Sequence, residues 1–184
     1  ITGHVTKDGS VAGPKTLEHL VDVVLYIEGD KLHGFRLIRS NKNRFGSTDE
    51  LGVFEMTSTG LKEVNDPSRA FLANNQEITA GSVVSCFLDG KRIFLIEVQA
   101  LVTPTIFGYP QRKTAGFDIN RLQMITAVLF KRANLNLNNQ DIHLNVAGGF
   151  KVTETGIDLA VAMAVASALK NKFINKQTIA IGEV

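Results

Sequence analysis

The sequence predicts an α/β protein built in two parts, and three observations carry that expectation. The first is a loop between two strand patterns. Phe35-Arg36-Leu37-Ile38-Arg39 alternates apolar and charged residues, as a half-buried strand does. Leu51-Gly52-Val53-Phe54-Glu55-Met56 reads as a second strand, beyond the basic stretch Lys42-Asn43-Arg44-Phe45-Gly46. The second is a pair of β-rich runs, Ser82 to Leu88 and Ile93 to Val102, joined by Asp89-Gly90, a dipeptide that two-residue hairpins prefer. The third is the pair of helical patterns that follow, Asn120 to Arg132 and Gly156 to Lys170.

In chain order, residues 1 to 14 hold three glycines, a lysine and small polar residues, the composition of a loop. Pro14 suits the first position of a helix, to which Leu17, Leu20 and Val21 give an apolar stripe. Val23-Val24-Leu25-Tyr26-Ile27 is a continuous apolar run, expected as a strand buried on both faces. Leu61 to Val64 closes a small sheet. Asp66-Pro67-Ser68 is a helix start leading into Ala70-Phe71-Leu72-Ala73. Asn74 to Glu77 is polar, and the domain boundary is placed there, dividing the chain into residues 1–74 and 75–184.

In the second part, Thr103 to Thr114 carries Pro104, Gly108, Pro110, Arg112 and Lys113 and reads as an exposed loop. The helix from Asn120 is expected to bury Leu122, Ile125, Val128 and Leu129. Ile142 to Val146 reads as a strand. The final helix is small and apolar from Leu159 to Ala168, so it must be buried. The chain opens without Met on what reads as the end of a strand and stops at Ile181 to Val184, which reads as another. It is therefore expected to be a fragment.

With 184 residues, 44% hydrophobic and 21% charged, the chain can bury a core. It holds no apolar run near the roughly 20 residues that span a bilayer and no secretory leader pattern, which makes the cytoplasm the expected location. Cys86 is the one cysteine, which excludes an internal disulfide and a multi-cysteine zinc site, and its apolar neighbours favour a buried, inert thiol. A net charge of +2 is too small to argue for nucleic acid by itself, so DNA binding must come from local patches.

The basic stretch is such a patch. Lys31, Arg36, Arg39, Lys42 and Arg44 follow one another with no acidic residue between Lys31 and Arg44, an uncompensated positive field suited to phosphate. A Lys and an Arg two apart on extended backbone point the same way. One is a compact point charge; the other is a planar fork that grips phosphate oxygens with two hydrogen bonds. The alternative is a solvated basic loop between strands.

Lys42-Asn43-Arg44-Phe45-Gly46, together with the run Gly3-His4-Val5-Thr6-Lys7-Asp8-Gly9-Ser10-Val11-Ala12-Gly13-Pro14, resembles the RadA (Sms) family of bacterial recombination and repair proteins. The similarity continues through Gln99 to Pro104, Asn138 to Asp141 and Ala147 to Gly149. The resemblance implies that residues 1–74 are the C-terminal portion of a RecA-like ATPase core. It implies that residues 75–184 are an incomplete α+β domain like that of Lon protease. The activity implied is an ATP-driven DNA motor, a DNA-dependent ATPase of helicase type. It would promote branch migration of recombination intermediates as a homo-hexamer, on single-stranded and branched DNA, beside a RecA-type recombinase. No membrane partner is implied.

By the same resemblance Lys42 and Arg44 act in trans on the neighbouring subunit's ATP. Phe45 would anchor the loop in an apolar pocket, and Gly46 would permit a turn at positive φ. Lys7, Lys15, Arg112 and Lys113 are candidates for DNA contact. His4 stands where such motors sense the bound phosphate; its other reading is a hydrogen-bonded structural histidine. Gly156 falls where active Lon enzymes carry their nucleophilic serine, and glycine has no side chain with which to attack. Thr153 and Thr155 are nearby hydroxyls without a matching lysine, so no peptidase activity is expected. Asp158 is expected to satisfy backbone donors near its helix start. ATP and Mg²⁺ belong to the full-length protein, zinc to an amino-terminal four-cysteine element outside these residues, and no cofactor to the 184 residues themselves. The other classes kept open are a Lon-type peptidase and a non-catalytic oligomerisation or DNA-binding module.

Overall fold

The computed structural model describes residues 16–29, 35–65, 79–106, 108–175 and 177–184. The expected boundary at residues 74 and 75, the expected helix after Asp66, and His4, Lys7, Lys15 and Lys31 lie outside them. The fold is α/β, as expected, with two four-stranded sheets.

A short helix α1 (Thr16–Leu20) leads into β1 (Val23–Gly29), β2 (Phe35–Asn43), β3 (Leu51–Thr57) and β4 (Gly60–Glu63), an antiparallel sheet in chain order. Alternation along β2 and β3 turns Phe35, Leu51 and Val53 into the core. The expectation that Val23 to Ile27 is buried on both faces does not hold. β1 is an edge strand, and Leu25 and Ile27 are 59% and 62% exposed. An apolar run fixes strand character, but its burial depends on neighbours, and among the described residues β2 alone pairs with it.

The second sheet holds β5 (Ser82–Asp89), β6 (Arg92–Pro104), β7 (Arg112–Ala115) and β8 (Gln140–Val146) in the order β5-β6-β8-β7. It is mixed: β7 and β8 run parallel, linked by the crossover helix α2 (Ile119–Arg132), and the other pairs are antiparallel. Helix α3 (Asp158–Lys170) lies against β5, β6 and α2. Its alanines at 160, 162 and 164 are buried beside Val161 and Val165, as its composition requires. Its polar Ser167 is satisfied: the Oγ accepts the Gly81 N–H at 2.8 Å and donates to the Lys172 carbonyl.

One core joins both sheets, because Phe35, Leu51 and Val53 belong to the same buried cluster as Phe87, Phe94 and Phe150. The ring centroids of Phe87 lie 5.6 Å from Phe94 and 5.2 Å from Phe150, distances at which aromatic pairs attract.

Several local expectations are corrected. The β5–β6 turn is Gly90-Lys91, since Asp89 already pairs with Arg92; Gly90 takes φ +62°, and a Cβ there would overlap the Asp49 carbonyl. Arg112 to Thr114, read as part of a loop, belong to β7 because they ladder onto β8. In α2 the buried residues are Leu122, Ile125, Thr126 and Leu129. Val128 is 39% exposed, and Thr126 takes the i+4 position by donating its hydroxyl to the Leu122 carbonyl at 2.7 Å. The last helix starts at Asp158 after a 3-10 turn over Thr155–Ile157. Residues 181–184 form no strand; a single parallel bridge joins Ile179 to Val84. Cys86 is half-buried.

Candidate functional site

Lys42 sits near the end of β2, opposite Val24 of β1. Its Nζ donates to the Glu18 carbonyl at 2.7 Å and the His19 carbonyl at 3.4 Å, groups that the end of α1 leaves without helical partners. Arg44 lies two residues on and reaches the same segment, as the strand period requires. Its N–H donates to the Asp22 carbonyl at 3.0 Å, and its guanidinium meets the Asp22 carboxylate at 3.0 Å. Both side chains of that ion pair are more than half exposed, so the pair contributes about 0–1 kcal/mol.

Between the two cations, Asn43 accepts the Phe45 N–H at 3.0 Å on its side-chain oxygen, a local turn typical of asparagine. Gly46 does not take a positive φ. A Cβ there would stand 3.2 Å from the Asn43 side-chain nitrogen, a close approach that a small shift of that side chain relieves. Phe45 is not seated in an apolar pocket: it is 80% exposed at the tip of the loop.

The positive field is also partly compensated, contrary to the reading from the basic run. Arg39 pairs with Asp89 through both carboxylate oxygens, at 2.7 and 2.6 Å, and with Glu28 at 3.5 Å. Its hydrogen bond to Asp89 pushes its pKa further up. Sequence order hid Asp89, which is 50 residues away. Past the loop, the Ser47 hydroxyl accepts the Asp49 N–H at 3.1 Å and the Lys91 ammonium at 3.3 Å, and the Lys91 N–H donates to the Asp49 carbonyl at 2.9 Å.

A second constellation surrounds Gly156. Arg121 donates to the carbonyls of Thr153 at 2.9 Å and Glu154 at 3.0 Å, ion-pairs with Asp158, and lies 4.8 Å over the Phe117 ring. Asp158 is therefore a buried ion-pair partner, and its role is not to cap its own helix. Burial pushes its carboxyl up, and Arg121 opposes that shift. Arg121 went unread in the sequence. The available signal was a cation in the first turn of α2, where the helix dipole disfavours it unless a partner stands near. A Cβ on Gly156 would meet only Ile181, at 3.8 Å. Thr153 and Thr155 are exposed.

Of the candidate DNA contacts, Lys113 is exposed on β7. Arg112 is half-buried, with its guanidinium donating to the carbonyls of Gln111 at 3.0 Å, Leu137 at 3.0 Å and Gln140. Burial lowers its pKa. Among the described residues no group of three His, Cys, Asp or Glu side chains is placed to hold a metal, and no helix is long and apolar enough to cross a membrane.

These features define an α/β protein that carries a Lys-x-Arg cation pair, a half-buried Lys42 and an exposed Arg44, where β2 runs into the loop before the antiparallel β3. Over all 184 residues it is 54% identical to the DNA repair protein RadA of Streptococcus pneumoniae (strain ATCC BAA-255 / R6). It is 50% identical to the proteins of the same name from Bacillus subtilis (strain 168) and Halalkalibacterium halodurans. Along its whole length the chain is thus similar to part of proteins that carry the RadA name. It spans 44%, 40% and 40% of the lengths of those three relatives. No protein-family model matches it.

Proposed function

We propose that this chain works in DNA repair and homologous recombination as part of an ATP-dependent DNA motor that promotes branch migration. Residues 1–74 would end its RecA-like ATPase core, and residues 75–184 would form a Lon-like scaffold without peptidase activity. The motor would be a homo-hexamer acting on single-stranded and branched DNA beside a RecA-type recombinase. The names of the relatives support the repair role.

The observation that carries the mechanism is that Lys42 and Arg44 are tethered side by side, Lys42 to backbone carbonyls and Arg44 by an exposed ion pair. A phosphate chain presents anionic oxygens, and an ammonium beside a guanidinium fits them. The exposed Arg44–Asp22 contact can be surrendered at small cost. ATP with Mg²⁺, bound to the neighbouring subunit, would supply the phosphoryl group whose charge develops during hydrolysis. Lys42 and Arg44 would reach across and neutralise that charge, Lys42 as a point charge and Arg44 as a fork. Phe45, exposed just after them, would press on the neighbour and set their depth. Lys7, Lys15 and Lys113 remain the phosphate contacts for DNA, whereas Arg112 is occupied with backbone carbonyls.

The test is Arg44→Ala in the intact protein. Nucleotide binding and ring assembly should persist while hydrolysis falls on the order of 10³-fold or more, the scale of arginine fingers. Unchanged hydrolysis would overturn the reading.

A further inference from the structure

The loop carrying the cation pair is gripped at both roots by the second sheet. Before the loop, Arg39 of β2 holds Asp89 with two parallel hydrogen bonds of 2.7 and 2.6 Å, the geometry in which Arg–carboxylate pairs fix orientation as well as bind. After it, the Lys91 N–H donates to the Asp49 carbonyl at 2.9 Å, and the Lys91 ammonium reaches the Ser47 hydroxyl at 3.3 Å and the Asp49 carboxylate at 3.8 Å. Gly90 closes the contact, because only a residue without Cβ lets the turn lie against the Asp49 carbonyl. Asp89, Gly90 and Lys91 are consecutive, so one rigid β5–β6 hairpin tip meets residues on either side of Lys42–Gly46.

We propose that the Asp89-Gly90-Lys91 tip is a positioning element for Lys42 and Arg44, through which the second sheet sets where the cation pair points. This rests on the reading of that pair as a trans-acting group. The positioning residues are Arg39, Asp89 and Lys91; none of them touches the reacting phosphate. A clamp spanning both roots fixes the loop's base and leaves its tip, with Phe45, free to engage a neighbour. Displacement of the second sheet therefore moves both cations together. A bidentate fork cannot be replaced by a lysine, which predicts an asymmetry between conservative substitutions on the two sides of the pair.

The experiment compares Asp89→Ala, Asp89→Glu and Arg39→Lys in the intact protein, with Arg44→Ala alongside. It reads steady-state ATPase and the hydrogen exchange of amides 44–49. Asp89→Ala and Arg39→Lys should lower kcat about tenfold or more, within the roughly 10²-fold that a misplacement of about 1 Å costs, with KM for ATP unchanged. Exchange across 44–49 should quicken in both. Asp89→Glu, which keeps a carboxylate, should recover most of the rate. Exchange at 44–49 unaltered by Asp89→Ala, or quickened exchange with kcat intact while Arg44→Ala is inactive, would overturn the proposal. If Arg44→Ala itself hydrolyses normally, the trans-acting reading is what fails, and the exchange of 44–49 still decides whether the tip holds the loop.

Discussion

The guanidinium of Arg44 rests 3.0 Å from the carboxylate of Asp22 in its own chain. If Arg44 serves a neighbour, Asp22 is a resting partner that it leaves on reaching across. Asp22→Asn should therefore leave ATP hydrolysis unimpaired or raise it no more than about fivefold, since an exposed pair is worth about 0–1 kcal/mol. Steady-state ATPase measurement decides it. A fall of tenfold or more would place Asp22 in the working site with Arg44.

The Arg121–Asp158 pair yields a prediction about pH. Burial raises the Asp158 carboxyl pKa in the folded state above its ordinary value of about 3.9, so the folded chain holds that proton more tightly than the unfolded one. The resulting stabilisation is complete below the unfolded pKa and is lost as pH rises through the folded one. Asp158→Asn has no such titration. Its stability relative to the wild type should rise from about pH 4 through the raised pKa and then level off. Urea denaturation of both proteins across pH 4–8 tests this, and a falling difference would mean that Arg121, and not burial, dominates. Arg121→Ala, which strands a buried carboxylate, should cost about 3–5 kcal/mol near neutral pH.

Two adjacent basic residues on β7 should behave differently toward DNA. Lys113 is exposed, and if it contacts phosphate, Lys113→Ala should flatten the log–log salt dependence of DNA binding by about 0.7 to 0.9. Arg112→Ala removes donors from three carbonyls and should lower the thermal midpoint instead. An unchanged slope for Lys113→Ala would take β7 out of the DNA path.

Glycine at position 156 offers no nucleophile, and the exposed hydroxyls of Thr153 and Thr155 have no base hydrogen-bonded to them among the described residues. The protein should leave casein uncut and stay unlabelled by serine-directed phosphonates. Mass-spectrometric detection of a label anywhere between Thr153 and Ser167 would contradict this.

What the sequence disclosed divides along physical lines. Period-2 alternation located β2 and β3, and the buried spacing of Leu122, Ile125 and Leu129 located α2, because those signals arise from contacts within one element. The pairing of Lys42 and Arg44 on one side was legible for the same reason. Burial of β1, pocketing of Phe45 and isolation of the positive field were misread, since each depends on what lies beside the element in space. Asp89 neutralises Arg39 across 50 residues, and no local pattern reports that. Arg112 looked like a loop cation because Pro104, Gly108 and Pro110 precede it, yet its neighbours across the ladder make it part of a sheet. The Arg121–Asp158 pair, 37 residues apart, was invisible by the same rule.

The central claim is that Lys42 and Arg44 serve a neighbouring subunit's nucleotide. On that claim, a protomer carrying Arg44→Ala would keep a phosphate-binding loop of its own, and a protomer lacking that loop's lysine would keep Arg44. Each is expected to be inactive alone. Mixed into one ring, with co-assembly shown by differential labelling, they create interfaces at which an intact loop faces an intact Arg44. A trans role predicts that ATPase activity returns in such mixtures, with a maximum near equal proportions. Mixed rings that stay inactive at every ratio would contradict it and return Lys42-Asn43-Arg44-Phe45-Gly46 to the status of a DNA contact.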